Sequence, residues 1–203
     1  MLFRSRLLIL TFALLAACSK SREADWDRAM KGGASAMGQS NFREAITQFN
    51  TALDAAYTFP EDHRIADTMT SLAAAHAAAG DLNEAGELYQ RALPMQRQFY
   101  GSDSEQAATT LSNLGSLYQD AGRIDEAEAA YNEAMVMRAK VLGKQHPDYA
   151  NTLMLFASLR RQMGRDVEAE DLNKQALTVC QATGQQRCAA TVFDNLGSLY
   201  FDK

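Results

Sequence analysis

Apolar residues recur along this chain with a helical rhythm, and the rhythm itself repeats. Leu111, Leu114, Gly115 and Tyr118 fall at i, i+3, i+4 and i+7, as do Met69, Leu72, Ala73 and His76. Such spacing places small and apolar residues on one stripe of an α-helix. A second rhythm follows within each period: Ala45, Phe49, Ala52; then Ala85, Tyr89, Ala92; then Ala127, Tyr131, Ala134. Between the two halves stand Gly80, Gly122 and Gly164, suited to the left-handed residue that ends a helix. Asn83 and Asp125 are placed to cap the second helix, whose positive N-terminal end also favours the nearby glutamates. Each period therefore predicts a pair of helices joined by a turn.

The period can be measured by self-comparison. Asn113-Leu114-Gly115-Ser116-Leu117-Tyr118 recurs identically as Asn195-Leu196-Gly197-Ser198-Leu199-Tyr200, 82 residues later, with a degraded midpoint copy around Leu155 to Leu159. The dipeptide Glu-Ala marks the second halves at Glu44, Glu84, Glu126 and Glu168, with spacings of 40, 42 and 42. Two independent markers thus keep one period.

On these residues the chain resembles the tetratricopeptide repeats, in the lengthened form of kinesin light chains. Tyr131 to Leu153 carries the closest likeness, through Val141-Leu142-Gly143, His146-Pro147-Asp148 and Ala150-Asn151-Thr152-Leu153. The resemblance implies an all-α fold: a right-handed α-solenoid of stacked antiparallel helix pairs with a concave face. Four repeats are expected, at about 26–59, 66–100, 107–142 and 149–181, plus a terminal helix over 190–203. Small residues at Gly33, Ala73, Gly115, Ala157 and Gly197 let backbones approach, while Phe49, Tyr89 and Tyr131 fill the space left. The pattern also breaks in places. Repeat one has Gly32-Gly33 and Ser40, which predicts a weak first helix; Pro94 predicts a kink or restart; Asn173 stands in an aromatic slot.

The N-terminus follows a different pattern. Arg4 and Arg6 precede an apolar run from Leu7 to Leu15, and Ala16, Ala17 and Cys18 follow. A charged start, a short apolar core and a small-residue exit form an export signal. The run is shorter than the roughly 20 residues a membrane span needs. Leu15-Ala16-Ala17-Cys18 resembles the bacterial lipobox, which implies a signal over 1–17, lipidation at Cys18 and a short tether over 18–25; otherwise the signal is an ordinary one and Cys18 incidental. In the Gram-negative pattern an Asp after the cysteine favours inner-membrane retention, so Ser19 implies the periplasmic face of the outer membrane.

Composition narrows the function. Of 203 residues, 20 are Lys or Arg and 25 Asp or Glu, a net charge of −5, so no basic surplus exists to neutralise a phosphate backbone, and nucleic acid is not an expected partner. Spacings for zincin, nucleophile-elbow, phosphate-loop or paired Cys-x-x-Cys chemistry are missing, and neither a metal, a cofactor nor an enzyme activity is expected. The histidines fit structural roles: His76 in an aromatic slot, His63 and His146 in corresponding loops. Cys180 and Cys188 flank the turn before the terminal helix and are spaced to close a disulfide in an oxidising compartment.

The face opposite the apolar stripe supplies the candidate binding residues. They are Thr70 and Ser71; Thr109, Ser112, Asn113, Ser116 and Asp120; Asn151, Met154, Ser158 and Gln162; and Asp194, Asn195 and Ser198. By the resemblance this face lines the concave groove. It is small, polar and mildly acidic, with asparagines able to pair with an extended peptide's amides. The expectation is a lipid-anchored periplasmic adaptor that holds a neutral or basic segment of an envelope protein. A second reading is a small-ligand-binding lipoprotein accessory to a transporter, which would enclose an apolar cavity.

Overall fold

Glycine and serine punctuation decides where the helices end, and the apolar stripes decide what they pack against. A computed structural model describes the backbone at 2–59 and 62–201, and the side chains of those residues from Lys20 onward. Among the described residues there are nine α-helices and no strand. They are α1 (Leu2–Gly38), α2 (Phe42–Ala56), α3 (Arg64–Ala79), α4 (Leu82–Tyr100), α5 (Glu105–Asp120), α6 (Ile124–Val141), α7 (Pro147–Gln162), α8 (Asp166–Ala182) and α9 (Gln186–Phe201). Helices α1 and α2, α5 and α6, and α7 and α8 pack as consecutive pairs. The architecture is an all-α solenoid. Among the described residues no helix is long and apolar enough to cross a membrane.

Gly80, Gly122 and Gly164 have φ of 91°, 71° and 70°, the left-handed conformation predicted for them. Repeat one places Ser40 at the same point, with φ 57°, and its side chain carries the steric cost that glycine avoids. The capping residues differ from expectation. Helix α6 begins at Ile124, so the cap position falls on Arg123, which makes no side-chain cap bond, and Asp125 lies inside the first turn. Asn83 likewise lies inside α4. Pro94 does not divide α4, which runs through it to Tyr100. One missing backbone bond is tolerated where Pro94 itself is exposed and its neighbours Ala92 and Gln96 are buried.

The chain forms two compact units, Met1–Leu88 and Tyr89–Lys203, with α4 contributing to both. In the first, the weak spot of repeat one turns out to be filled: a β-carbon at Gly33 would meet the Phe49 ring at 2.4 Å. Trp26 donates its indole N–H to Thr68 Oγ1 at 2.9 Å. Arg64 lies over the Phe59 ring at 4.3 Å and pairs with Asp62 and Glu23. The segment expected as a tether is helical from Lys20 onward, and the Glu23–Arg64 pair ties it to α3. The signal sequence and Cys18 lie outside the residues whose side chains are described.

The second unit is built on interlocking clusters. Ala107, Ala108 and Leu111 of α5 meet Ala134 and Met137 of α6. Ala127 and Tyr131 of α6 meet Phe156 and Leu159 of α7. Val179, Cys180, Val192, Leu196 and Leu199 join α8 to α9. Each fully buried aromatic or leucine in such a cluster contributes roughly 2–3 kcal/mol relative to exposure. Cys180 and Cys188 form a disulfide across the α8–α9 turn, with Cα atoms 5.6 Å apart.

Candidate functional site

The first helices of successive pairs, α5, α7 and α9, pack beside one another in the second unit, so their outward residues form one surface. That adjacency follows from the period: the same polar phase recurs every 41 or 42 residues and lands on the same side each time. The register is held by a bond between helices, Gln119 Nε2 donating to Ser158 Oγ at 3.3 Å.

Asp120 of α5, Asn151, Ser158 and Gln162 of α7, and Asp194 and Ser198 of α9 are exposed; Met154 and Asn195 are half-buried. Ser112 is different. It is only 2% exposed, and its hydroxyl donates to Ala108 O at 3.0 Å, so it belongs to the α5 packing face and does not line the surface. In the first unit, Thr70 and Ser71 are half-buried on α3 and donate to Ala66 O and Asp67 O of their own helix.

Several polar residues of the surface already hold partners from the layer beneath. The Tyr89 hydroxyl is bonded to the Asn113 side chain, and burial pushes that phenol well above its ordinary range. Asn195 Nδ2 donates to Asn173 Oδ1 at 3.4 Å, while Asn173 Nδ2 donates to Ala169 O. Asn113 and Asn195 stand at equivalent positions of α5 and α9, and each satisfies the buried polar group of the preceding helix. At the midpoint copy the equivalent residue is Leu155. There the Tyr131 hydroxyl turns to Ser116 Oγ at 2.9 Å and donates to Gln119 Oε1 at 3.1 Å. Burial raises the Tyr131 phenol to about 12.

Two arginines escaped the pattern-based reading. Arg138 of α6 is 4% exposed, and its guanidinium donates to Thr109 Oγ1 at 3.1 Å, Thr152 Oγ1 at 2.5 Å and Asp148 O at 2.9 Å. Desolvation lowers its pKa, opposed by the charges of Asp148 and Glu105. A cation therefore lies beneath Thr109, held by neutral oxygens. Arg161 lines a cleft between α7 and α9 together with Ser158, Asn173 and Asn195. This surface is thus less acidic than its carboxylates suggest. Adjacency to Arg160 conceals the difference in sequence: Arg160 is buried in ion pairs with Glu128 and Glu168, stacked on Phe156, whereas Arg161 is exposed.

The histidines are structural in their contacts. His146 caps α7, its Nδ1 accepting from Asp148 N at 3.2 Å; His63 meets Asp62 and His76 meets Asp81. Among the described residues no group of three or more His, Cys, Asp or Glu is arranged to hold a metal ion.

This geometry of paired helices, with small residues under aromatics and a polar face on each first helix, defines a class. The tetratricopeptide repeat model matches the chain over residues 28–98, 64–140 and 106–182. The chain belongs to the tetratricopeptide repeat family. Solved structures share the fold at low identity. BtubC (BKLC) from P. vanneervenii is similar with a TM-score of 0.74 and 20% identity, over 90% of this chain and 81% of that one. A putative kinesin light chain of nearly identical TPR-like repeats from Podosopora anserina gives 0.63 and 20%, over 90% and 96%. A substituted form of that same kinesin light chain gives 0.63 and 18%, over 89% and 95%. No curated protein matches the chain. Proteins of this repeat family are generally protein-interaction scaffolds, and that coarse role is the one the fold supports.

Proposed function

We propose that this protein is an exported lipoprotein, anchored through Cys18 at the periplasmic face of the outer membrane, and that it works as a non-enzymatic adaptor. The observation that supports the adaptor role is the side-by-side packing of α5, α7 and α9, which aligns Asn151, Ser158, Gln162, Asp194 and Ser198 on one polar surface. Small hydroxyl and amide side chains accept a main chain of almost any sequence, because each can donate and accept. The partner segment, extended or helical, is neutral or basic, and its basic side chains face Asp120 and Asp194. Arg161, in the α7–α9 cleft, donates to a carbonyl of that segment. The anchor confines this surface to the membrane, so a captured envelope protein is held there too.

The two parts are tested separately. Metabolic labelling with an azido fatty acid is expected to tag the chain, and Cys18→Ser is expected to lose both the tag and membrane fractionation after a high-salt wash. For the surface, Asp194→Arg is expected to weaken partner capture at least tenfold without lowering the melting temperature, since Asp194 is exposed. Thermal stabilisation by metabolites, with capture unchanged, would instead favour the ligand-binding reading.

A further inference from the structure

In repeat three an aromatic ring fills the slot between the paired helices. Tyr131 of α6 is fully buried against Gly115, and its hydroxyl reaches Ser116 Oγ at 2.9 Å and donates to Gln119 Oε1 at 3.1 Å. At the equivalent positions of repeat four, 42 residues on, stand Ala157, Ser158, Arg161 and Asn173. Asn173 is shorter than tyrosine and 2% exposed, and both ends of its amide are in use. Its Nδ2 donates to Ala169 O of its own helix at 3.0 Å, and its Oδ1 accepts from Asn195 at 3.4 Å. The slot is left partly unfilled: a cavity of about 50 Å³ remains, lined by Ala157, Ser158, Arg161, Asn173, Asn195 and Leu199.

Ser158 and Arg161 are exposed, so the cavity opens on the polar surface between them. The polar groups there differ in character from those of repeat three. Gln119 offers an acceptor to the Tyr131 hydroxyl, whereas Arg161 has only donors, five of them. Ser158 Oγ already accepts from Gln119, which sets its own hydrogen to donate. Ala157 and Leu199 supply apolar wall, and none of the six lining residues is acidic. Donors around a guanidinium call for an acceptor that carries negative charge. Size narrows the choice. A water-sized group takes roughly 10–15 Å³ of such space, so the cavity admits a carboxylate with the methylene that bears it and excludes an aromatic ring.

We infer that this slot takes the side-chain carboxylate of one aspartate or glutamate in the partner segment. The inference rests on the adaptor reading of the same surface and adds a specificity position to it. Asp120 stands on α5 and Asp194 on α9, on either side of α7, so the acidic residue is internal to a segment whose basic side chains face those two aspartates. Arg161 has donors enough for this carboxylate as well as a main-chain carbonyl. A free small acid has few contacts to hold it in so small a site. On a segment already laid across the surface, the carboxylate arrives at high effective concentration.

The test pans a display library of random short peptides against the immobilised full chain. Enriched peptides are expected to share one aspartate or glutamate between basic residues, and against an Arg161→Glu chain that position is expected to switch to lysine or arginine. An enriched peptide is then remade with the matching amide in place of the acid. It is expected to bind the unsubstituted chain at least tenfold more weakly, but to lose less than twofold against Arg161→Gln, which carries the glutamine that α5 has at this position. Because Arg161 is exposed, both variants are expected to keep the melting temperature. Enriched peptides with no shared acidic position, or an amide peptide that loses as much against Arg161→Gln, would overturn the inference and leave the adaptor standing. Displacement of the peptide by millimolar acetate but not chloride would also overturn it, giving the slot to free small acids. No enrichment at all would remove the adaptor reading and this inference with it.

Discussion

Tyr131 lies across Gly115, and its ring occupies the volume a β-carbon at 115 would need, 2.7 Å away. The ring is fully buried and its hydroxyl is held by Ser116 and Gln119, so it cannot swing aside without losing both contacts. Gly115→Ala therefore sets a helix-propensity gain of about 1 kcal/mol against overpacking of about 1–3 kcal/mol. The expected outcome in urea denaturation is a net loss of up to about 2 kcal/mol.

Ser40 presents the reverse case. It takes the left-handed conformation with φ 57° at the point where the later repeats have Gly80, Gly122 and Gly164. A β-carbon in that conformation costs roughly 1–2 kcal/mol, part of which is returned by the greater freedom of glycine in the unfolded chain. Ser40→Gly is expected to stabilise the protein by about 0.5–1 kcal/mol, measured by thermal unfolding.

Arg138 is a buried cation bonded to three neutral oxygens on two other helices. Removing it takes a donor from the Thr109 and Thr152 hydroxyl oxygens, while the Asp148 carbonyl keeps the Thr152 hydroxyl, and opens a cavity. Arg138→Ala is expected to cost about 3–5 kcal/mol in denaturant unfolding. Arg138→Lys should recover only part, because one ammonium cannot reproduce the fork that spans α5 and α7.

Alkaline stability should report on Tyr131. Its phenol is raised by burial to about 12 from 10.0, so below pH 10 it is neutral in both the folded and the unfolded chain and its contribution is present in full. Between about 10 and 12 the unfolded chain ionises first, and stability falls by roughly 2–3 kcal/mol before the folded phenol titrates. Tyr131→Phe is expected to flatten that part of the stability–pH curve. Phenolate absorbance should show the tyrosine step at about 12 disappear with it.

The repeat, the turn glycines and the packing slots were legible in the sequence because each rests on a local rule that recurs. Three kinds of contact near the surface were not. Ser112 falls on the polar phase of α5, yet the angular width of the buried stripe includes it. Asn113 and Asn195 look like free amides until the hydroxyl of Tyr89 and the amide of Asn173 arrive from the preceding helices. Nothing in the helical pattern marks Arg138 and Arg160 as buried, since the oxygens that admit them to the interior lie on other helices, 8 to 32 residues away. Helical phase tells which side a residue faces; it does not tell what another helix brings to meet it.

Site-specific photo-crosslinking in intact cells tests the adaptor most directly. A benzophenone amino acid is placed at Ser158, on the α7 surface, or at Val136, exposed on α6. The account predicts a discrete envelope-protein adduct from 158 that weakens as salt rises and disappears with Cys18→Ser, and none from 136. Equal adducts from both positions, or an adduct at 158 that survives loss of the anchor, would contradict it.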